Sequence, residues 1–184
     1  MKAMILAAGY GKRMMPLTEN LPKPLLKIGN ESLIERNINA LLAAGFNDII
    51  INISYLGSMI KKHVLEIFPN ANISFSEEEI PLGTGGGVLN AISLLGKDPF
   101  LLINADIYHQ INLKDLEQDV DIAHLVGVEN PDHNADGDFS LNSNVVSIKN
   151  NLNECTWSGI SIINPKIFDG LKIEDAPFDI WKSI

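Results

Sequence analysis

The chain has 184 residues, 46% of them apolar, and a formal net charge of −9. That length suits one domain with a sizeable core, and the acidic balance argues against nucleic-acid backbones as the main partner, because such binders gather Lys and Arg on one face. No apolar run reaches the roughly 18 residues of a membrane span, the apolar start stops too soon for a signal peptide, and Cys155 as the single cysteine excludes an internal disulfide, so a reducing cytoplasm is the expected setting.

In chain order, residues 2–6 read as a buried strand that runs straight into Ala7-Ala8-Gly9-Tyr10-Gly11-Lys12-Arg13. The glycines bare backbone N–H groups, and Lys12, Arg13 and Lys23 bring positive charge that stands out against the acidic background. The natural occupant of such a loop is a chain of phosphates. Arg13 can grip phosphate oxygens with a planar fork, and Lys12 or Lys23 can act as a point charge. The loop is not a Walker A loop, for it has no Gly-Lys-Ser/Thr. Nor is it the dinucleotide fingerprint, because Met14 stands where the third glycine belongs. The plain alternative is a turn with solvated basic residues.

Residues 31–44 read as a helix with Leu33, Ile34, Ile38, Leu41 and Leu42 on one side, Asn30 as N-cap and Gly45 just past the end. A strand follows at 48–53, then a helix at 58–68 closed by Pro69, then a short strand at 72–76. Residues 84–95 read as one helix with Thr84 as cap and Gly96 as stop. Phe100-Leu101-Leu102-Ile103-Asn104 is a third apolar strand. This alternation predicts βαβ units, right-handed crossovers and a mainly parallel sheet covered on both faces. Ligands in such sheets sit beyond the carboxyl ends of the strands. The glycine loop and Asp106 both fall there, so they can face each other across one crevice. Beyond residue 120 the rhythm changes to strands at 121–128, 139–142, 145–149 and 157–163, and 178–184 looks like the start of an amphipathic helix.

Other residues carry weaker signals. Asp106 just past a buried strand suits Mg²⁺, which is satisfied by one or two carboxylates plus substrate phosphates; an isolated aspartate there would instead cap the following turn. Asp132 to Asp138 fits the opening of a calcium loop, but position twelve is Ser143 and the flanks are strands, so a polar turn is the better reading. His109 is a surface or supporting residue, and His63, His124 and His133 lack ligand-like spacing. Cys155 is an inert small residue. Glu77-Glu78-Glu79 is by default a solvated acidic run.

The strings Leu6 to Met14, Pro16-Leu17-Thr18, Pro22-Lys23-Pro24-Leu25, Leu82-Gly83-Thr84-Gly85-Gly86-Gly87 and Asn104-Ala105-Asp106 together resemble the signature of the sugar-1-phosphate nucleotidyltransferases. The resemblance implies a Rossmann-like three-layer αβα fold with a mainly parallel mixed sheet, formed by a single domain over 1–184. It implies transfer of a nucleoside monophosphate from a nucleoside triphosphate to a sugar-1-phosphate with release of pyrophosphate. Glycines 85–87, Gly137-Asp138-Phe139 and Ser158-Gly159-Ile160-Ser161 favour the branch that moves UMP from UTP to N-acetylmuramate 1-phosphate, in cell-wall recycling. The branch that moves GMP to mannose 1-phosphate and a non-catalytic nucleotide binder are the alternatives.

The family's roles carry over residue by residue. Ala8, Gly9, Gly11 and Lys12 would lie against the nucleotide, with Asn104 at the same edge. Arg13 would hold the triphosphate, and Lys23 would sit among the reacting phosphates. Glu78 and Gly83 fall where the family reads the base, and Asp106 would bind Mg²⁺. Gly137, Asp138, Glu154 and Trp157 fall in the region of the sugar pocket. Family members also carry a second metal carboxylate in a Val-Asp-Val-Gly-like stretch. None occurs before Ile184, and Asp179 is a poor substitute, so the domain is expected to lack its C-terminal end.

Overall fold

A computed structural model describes residues 1–143, 145–148 and 152–179. The first strand, β1 (Ala3–Leu6), leads through the glycine loop to a small hairpin, β2 (Lys27–Ile28) and β3 (Glu31–Ser32), and into helix α1 (Leu33–Ala43). Then come β4 (Asp48–Ile53), α2 (Gly57–Ile67), β5 (Asn72–Glu77), α3 (Gly83–Asn90), α4 (Ile92–Leu95) and β6 (Phe100–Asn104). The later half adds β7 (Ala123–Glu129), β8 (Ser140–Asn142), β9 (Val145–Ser147) and β10 (Cys155–Ile163). No described helix is long and apolar enough to cross a membrane.

The main sheet has the order β5-β4-β1-β6-β10-β7. The β5, β4, β1 and β6 strands run parallel, and β10 joins antiparallel between β6 and β7. This is the expected α/β architecture with a mainly parallel mixed sheet. Side chains alternate across it, as strand geometry requires. Ala3, Ile5, Ile49 and Ile51 pack with Ile34, Ile38, Leu41, Ile60 and Val64 in one core. Met4, Ile50, Phe100 and Leu102 face the other way, against Val88, Ala91, Leu95 and Phe168. Two cores on two faces make three layers, each sealed by burial of branched aliphatic side chains at about 25 cal/mol per Å².

Several element boundaries differ from the sequence-based expectation, each for a local reason. Asn30 is not the cap of α1. Residues 27–32 form the hairpin around Gly29, which moves the cap to Ser32. The Ser32 hydroxyl accepts from the Glu35 N–H while the Glu35 carboxylate accepts from the Ser32 N–H, a capping box. His63 of α2 lies 2.7 Å from the same carboxylate and ties the two helices together. Ser32→Ala should therefore lower the unfolding free energy by about 1–2 kcal/mol, read from the midpoint of urea denaturation.

The expected single helix over 84–95 is two, broken at Ala91, whose N–H is shared between the Gly87 and Val88 carbonyls. Its cap position is Leu82, and Thr84 lies inside the first turn. Helix α2 begins at Gly57 after Leu56 in the left-handed region, one residue before the expected start. Strand β7 starts two residues later than expected and β10 two residues earlier. Residue 149, the last of an expected strand, lies outside the described residues. So do residues 180–184 of the expected helix, while Phe178 and Asp179 are not helical.

Candidate active site

The chain leaves β1 for β4 and β5 on one side, then returns to β6 on the other. This reversal places a crevice at the carboxyl edge of β1. In the register of the sheet, Leu6 stands between Asn52 of β4 and Asn104 of β6. A cleft of about 370 Å³ opens there. Its lining brings together Ala8, Gly9, Gly11, Lys12, Arg13 and Lys23 on one side, Asn104 and Asp106 beside them, and Glu78, Gly83 and Asp179 opposite.

The glycine loop takes its shape from two backbone needs. Gly11 has φ +65°, the left-handed region that favours glycine. A Cβ on Gly11 would also stand 3.1 Å from the Thr18 methyl, and the Thr18 hydroxyl donates back to the Gly11 carbonyl at 2.8 Å. Gly9 meets nothing within 4 Å on the side where a Cβ would point, so the loop backbone there is open to an approaching ligand.

The cations of the loop are used differently. Lys12 lies 5.1 Å from the centre of the Tyr10 ring, and Tyr10 in turn packs on Tyr55 at 5.4 Å. Lys23 donates to the Asp106 carboxylate at 2.5 Å, joining the segment after the loop to the end of β6. Arg13 is exposed, and among the described residues no carboxylate pairs with it. An uncompensated guanidinium beside open backbone amides is an anion-binding arrangement.

The wall opposite is built by α3. Gly83 has φ +76°, and its Cβ would fall 2.7 Å from the Phe178 carbonyl. That carbonyl accepts from the Gly85 and Gly86 N–H groups, while the Phe178 N–H donates to the Leu82 carbonyl. The first turn of α3 is thus capped from far along the chain. The same segment carries Asp179, which accepts from the Thr84 hydroxyl at 3.3 Å and lines the cleft. Gly83→Ala should cost about 1 kcal/mol or more, from left-handed strain together with the clash. A thermal melt against the unchanged protein reads that loss.

Glu78 sits at the base of this wall. Its carboxylate accepts from Asn52 Nδ2 at 2.7 Å and from the Leu82 N–H at 2.9 Å. Burial pushes its carboxyl above the usual range, and those two hydrogen bonds oppose the rise. Asn52, Thr84 and Asp179 were not among the site residues expected from sequence. For Asn52 a signal existed. It is a polar side chain inside Asp48-Ile49-Ile50-Ile51-Asn52-Ile53, and a buried amide needs partners.

The residues expected at the sugar pocket lie elsewhere in the later half, and none lines the cleft. Asp138 accepts from the Trp157 N–H at 2.8 Å and from Asn134 Nδ2 at 3.1 Å. The Trp157 indole donates to the Ile160 carbonyl. Gly137 turns with φ +62° beside Asn130 and Asn153, and the Glu154 N–H donates to the Phe139 carbonyl. Strand β10 then bulges between Trp157 and Ser161, and Gly159 in the bulge approaches Asn104 so closely that a Cβ would stand 2.9 Å from its amide nitrogen. That close approach links the later half to the cleft.

A three-layer α/β domain with a phosphate-type loop at the switch point of its sheet defines a nucleotide-handling class of protein. Residues 2–126 match the family described as nucleotidyl transferase, and the chain belongs to that family. It is 43% identical over 182 residues to the N-acetylmuramate alpha-1-phosphate uridylyltransferase of Neisseria meningitidis, covering 94% of this chain and 79% of that protein. It is 34% identical to the mannose-1-phosphate guanyltransferase of Schizosaccharomyces pombe, covering all of this chain and 54% of that protein. The chain therefore spans about half the length of that relative. Among solved structures, HddC from Yersinia pseudotuberculosis complexed with GMP-PN superposes with a TM-score of 0.77 at 29% identity, over 97% of this chain and 82% of that one.

Proposed function

We propose that the cleft transfers a nucleoside monophosphate to a sugar-1-phosphate, with UMP from UTP and N-acetylmuramate 1-phosphate as the favoured pair. The observation that carries the reading is Arg13, which no carboxylate pairs among the described residues, lining one cleft with the open Gly9–Gly11 backbone and the Lys23–Asp106 pair. Identity to the Neisseria enzyme supports the choice of base and sugar. A second reading, GMP to mannose 1-phosphate, has support from the guanyltransferase relatives and from the GMP-PN complex of HddC.

In this account a phosphate oxygen of the sugar-1-phosphate attacks the α-phosphorus of the triphosphate, and pyrophosphate leaves. No covalent enzyme intermediate is required. The loop's amides and Arg13 hold the β- and γ-phosphates and draw off the charge that builds on the leaving pyrophosphate. Lys23 shields the two anions from each other and brings them into line. Asn104 and Gly83 border the nucleotide. Gly137, Asp138, Glu154 and Trp157 remain the proposed sugar-side group; they lie outside the cleft lining, and support for them is the β10 irregularity that packs Gly159 against Asn104.

The donor set at the cleft fits a magnesium ion. Asp106 uses one oxygen on Lys23, and Asp179 adds a second carboxylate to the same lining. Among the described residues no group of three ligating side chains converges, and Mg²⁺ does not need one when substrate phosphates complete its shell. Asp106, with Asp179 from the opposite wall, would hold the ion, which when bound supplies charge neutralisation to the phosphates.

The test is pyrophosphate release by the full chain with UTP or GTP, each against N-acetylmuramate 1-phosphate and mannose 1-phosphate. Turnover with the first pair is expected. Turnover with GTP and mannose 1-phosphate would establish the second reading. Nucleotide binding without turnover on any pair would mark a non-catalytic binder and refute both.

A further inference from the structure

Four groups form an unbroken hydrogen-bonded line under the cleft. The Ala7 N–H, first past β1, donates to Asn52 Oδ1 at 2.8 Å. Asn52 Nδ2 donates to Glu78 Oε1 at 2.7 Å, and the Leu82 N–H donates to Glu78 Oε2 at 2.9 Å. Asn52 is 2% exposed and Glu78 7%. The line joins the root of the glycine loop to the cap of α3, and so spans both walls of the cleft.

Its two ends are backbone N–H groups, which can only donate. That fixes the polarity of everything between them. Asn52 must turn its oxygen to Ala7, which leaves its NH₂ facing Glu78. Glu78 then meets a donor at each oxygen, and only a carboxylate can accept at both. A glutamine there would set its own NH₂ against either Asn52 or Leu82, and flipping Asn52 would only move the conflict to Ala7.

Space is reserved for the line as well. A Cβ on Gly87 would stand 2.6 Å from Asn52 Nδ2 and 2.9 Å from Glu78 Oε1. The third glycine of Gly85-Gly86-Gly87 is therefore there for the bridge. Gly86 answers a different neighbour, the Ala176 side chain, at 2.9 Å.

We infer that Asn52 and Glu78 are positioning residues, a bridge of fixed polarity that sets the glycine loop and the α3 wall at the separation a nucleotide needs. The inference rests on the reading of the cleft as a nucleotide site. Loss of one acceptor leaves a buried donor unpaired and lets the walls drift apart.

The experiment compares the unchanged full chain, Glu78→Gln, Asn52→Asp and the double variant Asn52→Asp/Glu78→Gln. In the double variant the carboxylate introduced at position 52 accepts from the Ala7 N–H and from the amide NH₂ introduced at position 78. The amide oxygen at position 78 accepts from the Leu82 N–H, so the polarity is whole again with the charge moved. Each protein is melted without nucleotide and titrated calorimetrically with UTP and with GTP. Each single variant should bind nucleotide about tenfold or more weakly. The double variant should recover to within about fivefold of the unchanged protein, or, if a single variant does not fold, should restore both folding and affinity.

Three results overturn the inference. One is Glu78→Gln binding like the unchanged protein. Another is melting temperatures that fall while affinities of the folded variants stay constant. The third is a double variant no better than Glu78→Gln in either measure. Absence of nucleotide binding by the unchanged chain is a separate result, since it defeats the nucleotide reading itself, and with it the positioning role.

Discussion

Arg13→Ala is expected to lower kcat/KM for nucleotidyl transfer by about 10²–10³-fold and to leave the melting temperature unchanged. Both halves come from one feature. The guanidinium is exposed and has no carboxylate partner among the described residues, so the fold does not depend on it. In the proposed reaction, its place in the cleft lining with the open backbone at Gly9 lets it take charge from a departing pyrophosphate. Arg13→Lys should recover only part of the rate, because a point charge replaces a two-pronged fork. Steady-state kinetics together with a thermal melt check both statements. A loss of stability matching the loss of rate would mean that Arg13 supports the fold instead.

The second large effect is expected at Asp106. Its carboxylate holds Lys23 at the edge of the cleft and is the strongest candidate for holding a magnesium ion. Asp106→Asn keeps the shape and removes the charge. Turnover should fall by about 10²-fold or more, while the affinity for free nucleotide holds or tightens, because Lys23 is released towards the phosphates. Calorimetry in the absence of added metal separates that affinity from kcat. Equal losses in both would show that Asp106 shapes the cleft and has no particular part in the reaction.

The sequence was most legible where physics is local. An apolar strand feeding a glycine loop needs no distant partner to be recognised, and Gly11 adopts the left-handed backbone such a loop requires. The alternation of strands and helices was enough for a parallel sheet, and that sheet placed Asp106 on the same edge as the loop. Local ambiguity produced the small errors. Asn30 and Ser32 are both good caps, and only the pairing of residues 27–28 with 31–32 selects the serine.

The larger omissions have a common cause, which is dependence on distant segments. The start of α3 is satisfied by the Phe178 carbonyl and the Glu78 carboxylate, so Thr84 was never needed as its cap. The split at Ala91 likewise leaves no mark that composition or spacing reveals. Asn52 could have been suspected from its apolar neighbours, yet its partners, Ala7 and Glu78, come from two other parts of the sheet. The glycines at 85–87 look alike in the sequence, but Gly86 makes room for Ala176 and Gly87 for the Asn52–Glu78 bridge.

The most direct test of the central claim is a structure of the chain with a non-hydrolysable UTP analogue and Mg²⁺. The phosphates are expected within hydrogen-bond reach of the 9–13 backbone amides and the Arg13 guanidinium, beside Asp106. A nucleotide bound elsewhere on the molecule, with this cleft empty, would contradict the account.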